Sequence, residues 1–106
     1  MIDLNKLSTD AYIVAKKREK NGAFIQTEPI SILKHCAGEV MEATEAYCDF
    51  AYEMTFEYEE KFHDEVADIM VCCLIMSGYM GFDIEKAINR VMEKNQLRAE
   101  KHGDKL

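Results

Sequence analysis

The chain has 106 residues, 48% of them hydrophobic, with seven methionines, one proline and five glycines. This is the length of one domain, residues 1–106, and a composition that points to an all-α protein rather than a disordered or turn-rich one. Twenty acidic against thirteen basic residues leave a formal net charge of -7, which repels nucleic acid and anionic membrane and argues against both as partners; a polyanionic substrate would need a metal cation.

The first twelve residues, MIDLNKLSTDAY, lack a cationic segment followed by an apolar one, so no secretory signal is expected, and a cytoplasmic location is. Leu4, Leu7, Ala11, Tyr12 and Ala15 recur near the helical period behind Asp3, a good N-cap, which predicts a first helix over residues 3–20 that stops at Asn21-Gly22. Pro29 suits the first turn of a second helix, to about Glu53, whose stripe Leu33, Cys36, Val40, Ala43, Tyr47 and Ala51 is expected to face the core.

A turn is expected near 54–58, although neither glycine nor proline marks it. A third helix follows from about Glu59 to Tyr79. It holds the longest apolar run, IMVCCLIMSGYMGF, whose 14 residues fall short of the roughly 20 that span a bilayer. A helix so apolar in so small a chain implies a central position or an oligomer interface. Gly78 and Gly81 loosen its end, and Asp83 is a good N-cap for a last helix with Ile84, Ala87, Ile88, Val91 and Met92 inward. The expected fold is therefore a small four-helix bundle.

Cys36, Cys48, Cys72 and Cys73 contain no C-x-x-C pair and read as buried, reduced thiols. The carboxylates carry more information. Residues three apart on a helix stand one above the other, about 5–6 Å between Cβ atoms. Glu39 and Glu42 therefore share a face, Glu45 extends the row, and Glu65 and Asp68 repeat the spacing on the next helix. Both pairs are embedded in apolar sequence, and Lys34 is the one lysine or arginine between Pro29 and Tyr47. Crowded carboxylates that lose hydration repel one another, and a divalent cation removes the conflict. Oxygen ligands without histidine or thiolate select Mg2+, with Mn2+ as an alternative.

A single E-x-x-E in so acidic a chain is usually a solvated face. The second pair makes the difference. The basic residues gather at the other end, where Lys94 and Arg98 share a face of the last helix with Asn95 beside them. Such a group can hold phosphate oxygens, although a basic last turn also complements a helix dipole.

The order EVMEATEA, DEVADIMVCCLIMSGYMGFDIEKAI and KNQLRAEKHGDKL resembles MazG-like nucleotide pyrophosphohydrolases, whose mark is E-x-x-E followed by E-x-x-D on the next helix, here 22 residues apart. The resemblance covers roughly residues 4–106. It implies an all-α fold assembled as a dimer or tetramer, and cleavage of nucleoside triphosphates between the α and β phosphates. It further implies Mg2+ ligation by Glu39, Glu42, Glu65 and Asp68, phosphate binding by Lys94 and Arg98, and a supporting role for Asn95. Glu39, at the outer end of the row, is the chosen general base. Two departures stand out: Gly38-Glu39 replaces paired glutamates, and the break after the first helix offers Phe24 where several members have tryptophan. His35 is left without a role.

Two other readings compete. A carboxylate-bridged di-iron bundle needs E-x-x-H on two helices, and Glu60 with His63 provides one. A non-catalytic helical oligomerisation module fits the apolar third helix equally well.

Overall fold

The computed structural model describes residues 1–22 and 28–102. Phe24 and the segment 103–106, which completes the K-H-G-x-K ending, lie outside the described residues. Four helices follow in order: α1 (Leu4–Lys20), α2 (Pro29–Glu53), α3 (Phe56–Met80) and α4 (Ile84–His102). The all-α expectation holds among the described residues. None of these helices is long and apolar enough to cross a membrane.

Local chemistry explains the boundaries. The Asp3 carboxylate accepts from the Lys6 amide, and the Thr55 hydroxyl accepts from the Tyr58 amide, each satisfying a donor that the first helical turn leaves free. Pro29 opens α2, where its missing N–H is no loss. The turn between α2 and α3 is two residues long, with Met54 left-handed at φ 52° and its amide donating to the Phe50 carbonyl. A methionine in this conformation gives no compositional signal, so α3 begins three residues earlier than the sequence predicts. Gly81, at φ 73°, closes α3.

So short a connection forces α2 and α3 into an antiparallel hairpin. The Cys72 thiol donates to the Ile32 carbonyl at one end, and Phe62 meets Tyr47 and Phe50 near the turn, the first edge-on and the second stacked. The face of α2 that packs is turned by one residue from the expected stripe. Ile32 (2% exposed), Ala43 and Ala46 are buried, whereas Leu33, Val40 and Tyr47 remain about half exposed. Alanines win this face because they let the two helix backbones come close, and the bulkier residues are left on a second apolar face.

α1 crosses α3 at small residues. Buried Ser8 and Ser77 form a hydroxyl pair against the Leu74 carbonyl, which accepts from the pair. Gly78 is required there: a Cβ would stand 2.5 Å from the Ser8 carbonyl oxygen and 2.8 Å from Tyr12 Cβ.

α4 does not complete a closed bundle. It packs on α1, and its start is locked to the start of α1 by reciprocal caps: Asn5 Oδ1 accepts from the Ile84 amide, Asp83 accepts from Asn5 Nδ2 and the Lys86 amide, and Glu85 accepts from the Leu4 amide. Beyond that lock, Ile88, Val91 and Met92, expected inward, are exposed. The radius of gyration, 16.3 Å, exceeds the roughly 13 Å of a compact domain of this length, as an outlying helix requires.

Candidate active site

The rotation of α2 puts Glu39 on the same face as Ile32, Ala43 and Ala46. Its side chain is only 12% exposed, at the seam between α2 and α3. Glu42 stands at the solvent edge of that seam, and Glu65 comes half-buried from α3. Carboxylate oxygens of Glu39, Glu42 and Glu65 all lie within 4.8 Å of one another. Two oxygens bound to one Mg2+ at about 2.1 Å are separated by about 3–4 Å, so a small rotamer adjustment suffices for a shared cation.

The electrostatics carry the same strain. Burial, then the charges of Glu42 and Asp68, push the Glu39 carboxyl above the ordinary range, against the opposing pull of His35. Burial and Glu42, with Asp68 next, raise Glu65, which also hydrogen-bonds to Glu42; Lys61 pulls it down. Glu39 Oε2 and Glu65 Oε2 are buried with no hydrogen-bond partner. Buried carboxylate oxygens left unpaired are costly, and a hard cation is the partner that fits an all-oxygen donor set.

Asp68 is exposed and lies beside the three glutamates rather than among them. It borders a cavity of about 340 Å³ together with Glu39, His35 and Arg18, over an apolar wall that includes Ile32 and Val71. Glu45, one turn beyond Glu42, is exposed and outside the cluster, in keeping with a solvated role.

Two residues of this cavity had no role in the sequence reading. His35 Nε2 lies 3.0 Å from Glu39 Oε1, an i, i+4 pair whose spacing was visible beforehand. Arg18 gives no such local signal, being 21 residues before Glu39 on another helix; only the crossing of α1 over α3 brings it there. Lys94 and Arg98 are exposed and Asn95 half-buried on α4, a helix that packs on α1, and among the described residues no hydrogen bond or ion pair joins them to the carboxylates.

His63, one half of the E-x-x-H required for di-iron, is exposed and 3.8 Å from Glu59; it is no part of the carboxylate cluster. Of the four free cysteines, Cys72 alone is buried, and burial followed by its hydrogen bond with Cys36 pushes that thiol far up; Cys48 and Cys73 are exposed.

No curated protein and no solved structure gives a significant match to the chain. A family model described as the MazG-like family matches residues 32–106, which takes in nearly all of α2, the whole of α3 and α4, and every carboxylate of the cluster. With both acidic motifs and most of its length inside that match, the chain belongs to the MazG-like family.

Proposed function

We propose that the protein is a Mg2+-dependent nucleoside triphosphate pyrophosphohydrolase that cleaves ribo- or deoxyribonucleotides between the α and β phosphates. Family membership points to this class of chemistry. The observation that carries the reading is the convergence of Glu39, Glu42 and Glu65 within 4.8 Å, with two buried oxygens lacking a partner.

Glu39, Glu42, Glu65 and Asp68 would hold the cation; when bound, Mg2+ neutralises phosphate charge and acidifies a coordinated water. Glu39, whose carboxyl is already raised by burial and like charge, accepts the proton of the attacking water. The oxygen of that water bonds to the α phosphorus, the bond to the bridging α–β oxygen breaks, and pyrophosphate leaves with the electron pair. His35 restrains Glu39 from one side and leaves Oε2 for this work. Mn2+ would serve in place of Mg2+.

Lys94, Asn95 and Arg98 enter this mechanism through assembly. The exposed apolar residues Leu33, Val40 and Tyr47 of α2, with Val91, Met92 and Leu97 of α4, form faces that a homodimer or homotetramer would cover. In such an assembly α4 of one copy supplies its cations to phosphates held at the carboxylates of another, and they stabilise the leaving pyrophosphate.

The test is release of pyrophosphate from a panel of NTPs and dNTPs with and without Mg2+. Metal-dependent release of one pyrophosphate per monophosphate supports the reading, and its absence across the panel overturns it. The same exposed faces favour a second reading, a non-catalytic helical oligomerisation module. That reading requires an oligomer with no turnover in the same assay.

A further inference from the structure

Among the described residues, Arg18 is the one arginine or lysine that borders the cavity beside the carboxylates. It comes from the last turn of α1, where Lys17 and Lys20 add positive charge. The same side chain borders a second, apolar cavity of about 320 Å³ between α1 and α3, lined by Val14 and Leu74, with Val71 and Ile75 common to both. Arg18 thus stands at the junction of an acidic pocket and an apolar groove.

It is exposed, and it forms no ion pair among the described residues, although Glu39 and Asp68 line the same cavity. A guanidinium whose purpose was to neutralise those carboxylates would be paired with one of them. Arg18 therefore brings to the cavity a permanent charge and a planar set of donors, the geometry that matches two phosphoryl oxygens.

We propose that Arg18 contacts the phosphate chain of the substrate, so that the chain supplying the carboxylates also supplies a phosphate-binding cation. This rests on the pyrophosphohydrolase reading, and it adds a residue from α1, which lies outside the segment matched by the family model.

The experiment compares wild type with Arg18→Ala, Arg18→Lys and the control Lys17→Ala, whose side chain borders neither cavity. Three quantities are measured: KM and kcat for an NTP in saturating Mg2+, inhibition by inorganic tripolyphosphate, and the rise of melting temperature with Mg2+. Arg18→Ala is expected to raise both KM and the tripolyphosphate inhibition constant by about tenfold, the loss of one charge-assisted hydrogen bond. Arg18→Lys falls between, Lys17→Ala matches wild type, and the Mg2+ response is the same in all four.

Unchanged KM and unchanged tripolyphosphate inhibition in Arg18→Ala overturn the proposal. So does an altered Mg2+ response with KM unchanged, because Arg18 would then be a charge partner of the carboxylates. If wild type cleaves no NTP, the pyrophosphohydrolase reading fails by itself. Calorimetric binding of tripolyphosphate in Mg2+ then decides Arg18 separately: weaker binding in Arg18→Ala supports the contact, and equal binding overturns it.

Discussion

His35 and Glu39 stand one turn apart on α2, with Nε2 3.0 Å from Oε1, while the other oxygen of the same carboxylate is buried without a hydrogen-bond partner. One half of Glu39 is thus held by the imidazole, and the other half has no hydrogen-bond partner in the protein. Removing the imidazole frees the carboxylate to rotate out of the seam. His35→Ala is expected to lower kcat by about tenfold, the range for loss of one positioning contact, with KM little changed. Far-UV circular dichroism should be unaltered, since His35 is exposed; a kcat equal to wild type would remove His35 from the mechanism.

The carboxylates themselves are a conflict in the metal-free protein. Burial first, and then the charges of Glu42 and Asp68, raise Glu39 and Glu65, and Glu42→Gln or Asp68→Asn deletes one of those charges. Hydrolysis should fall at least about a hundredfold in either variant, by the scale of losing one electrostatic stabiliser. Melting temperature without Mg2+ should hold or rise. Full Mg2+-dependent turnover in either would contradict their assignment as ligands.

The same repulsion sets a pH dependence. Glu39 and Glu65 have folded-state carboxyls above the ordinary glutamate value of 4.5, so the folded state binds more protons than the unfolded one once pH passes that value. Stability contributed by these groups is whole below about 4.5 and is lost as pH rises through their higher folded values. Asp83 has the opposite sign. The hydrogen bonds it accepts from the Lys86 backbone amide and from Asn5 Nδ2 hold it below 3.8, so its contribution is present above that pH and is lost on further acidification. Metal-free melting temperature should therefore peak in mild acid and decline toward neutrality, and millimolar Mg2+ should flatten the decline. A neutral-side slope indifferent to Mg2+ would speak against a preformed cation site.

Gly78 sits at a close crossing of α1 and α3. A methyl group there meets backbone on one side, which cannot rotate away as a flexible side chain could. Gly78→Ala should cost about 1–3 kcal/mol, the usual penalty of overpacking, or roughly 4–8 °C of melting temperature per kcal/mol in a domain of this size. Thermal denaturation measures it directly, and an unshifted midpoint would mean that α1 can move off α3 at little cost.

The exposed stripe on α2 tests assembly. Val40→Asp places a charge amid apolar residues that the chain itself leaves uncovered. Sedimentation velocity should then show a shift toward monomer. If Lys94, Asn95 and Arg98 act across the interface, activity should fall with it; an active monomer would require them to reach the cluster within one chain.

The residue order alone makes the helices, their succession and the two acidic motifs legible, because periodicity, caps such as Asp3 and Asp83, and the three-residue spacing of Glu39 and Glu42 are local properties. Its errors were also local in origin. α2 carries two apolar stripes that share Ala43, and nothing in the order of its residues says that Ile32 and Ala46, rather than Val40 and Tyr47, are buried with it. That choice depends on how closely two backbones can approach, which only packing decides. Packing also drew Glu39 into the seam beside Glu65, brought Arg18 from a distant helix to the same cavity, and left Lys94 and Arg98 on a helix that packs against α1. Three-residue spacing aligns charges along one helix, but tertiary contact sets which charges face one another across two.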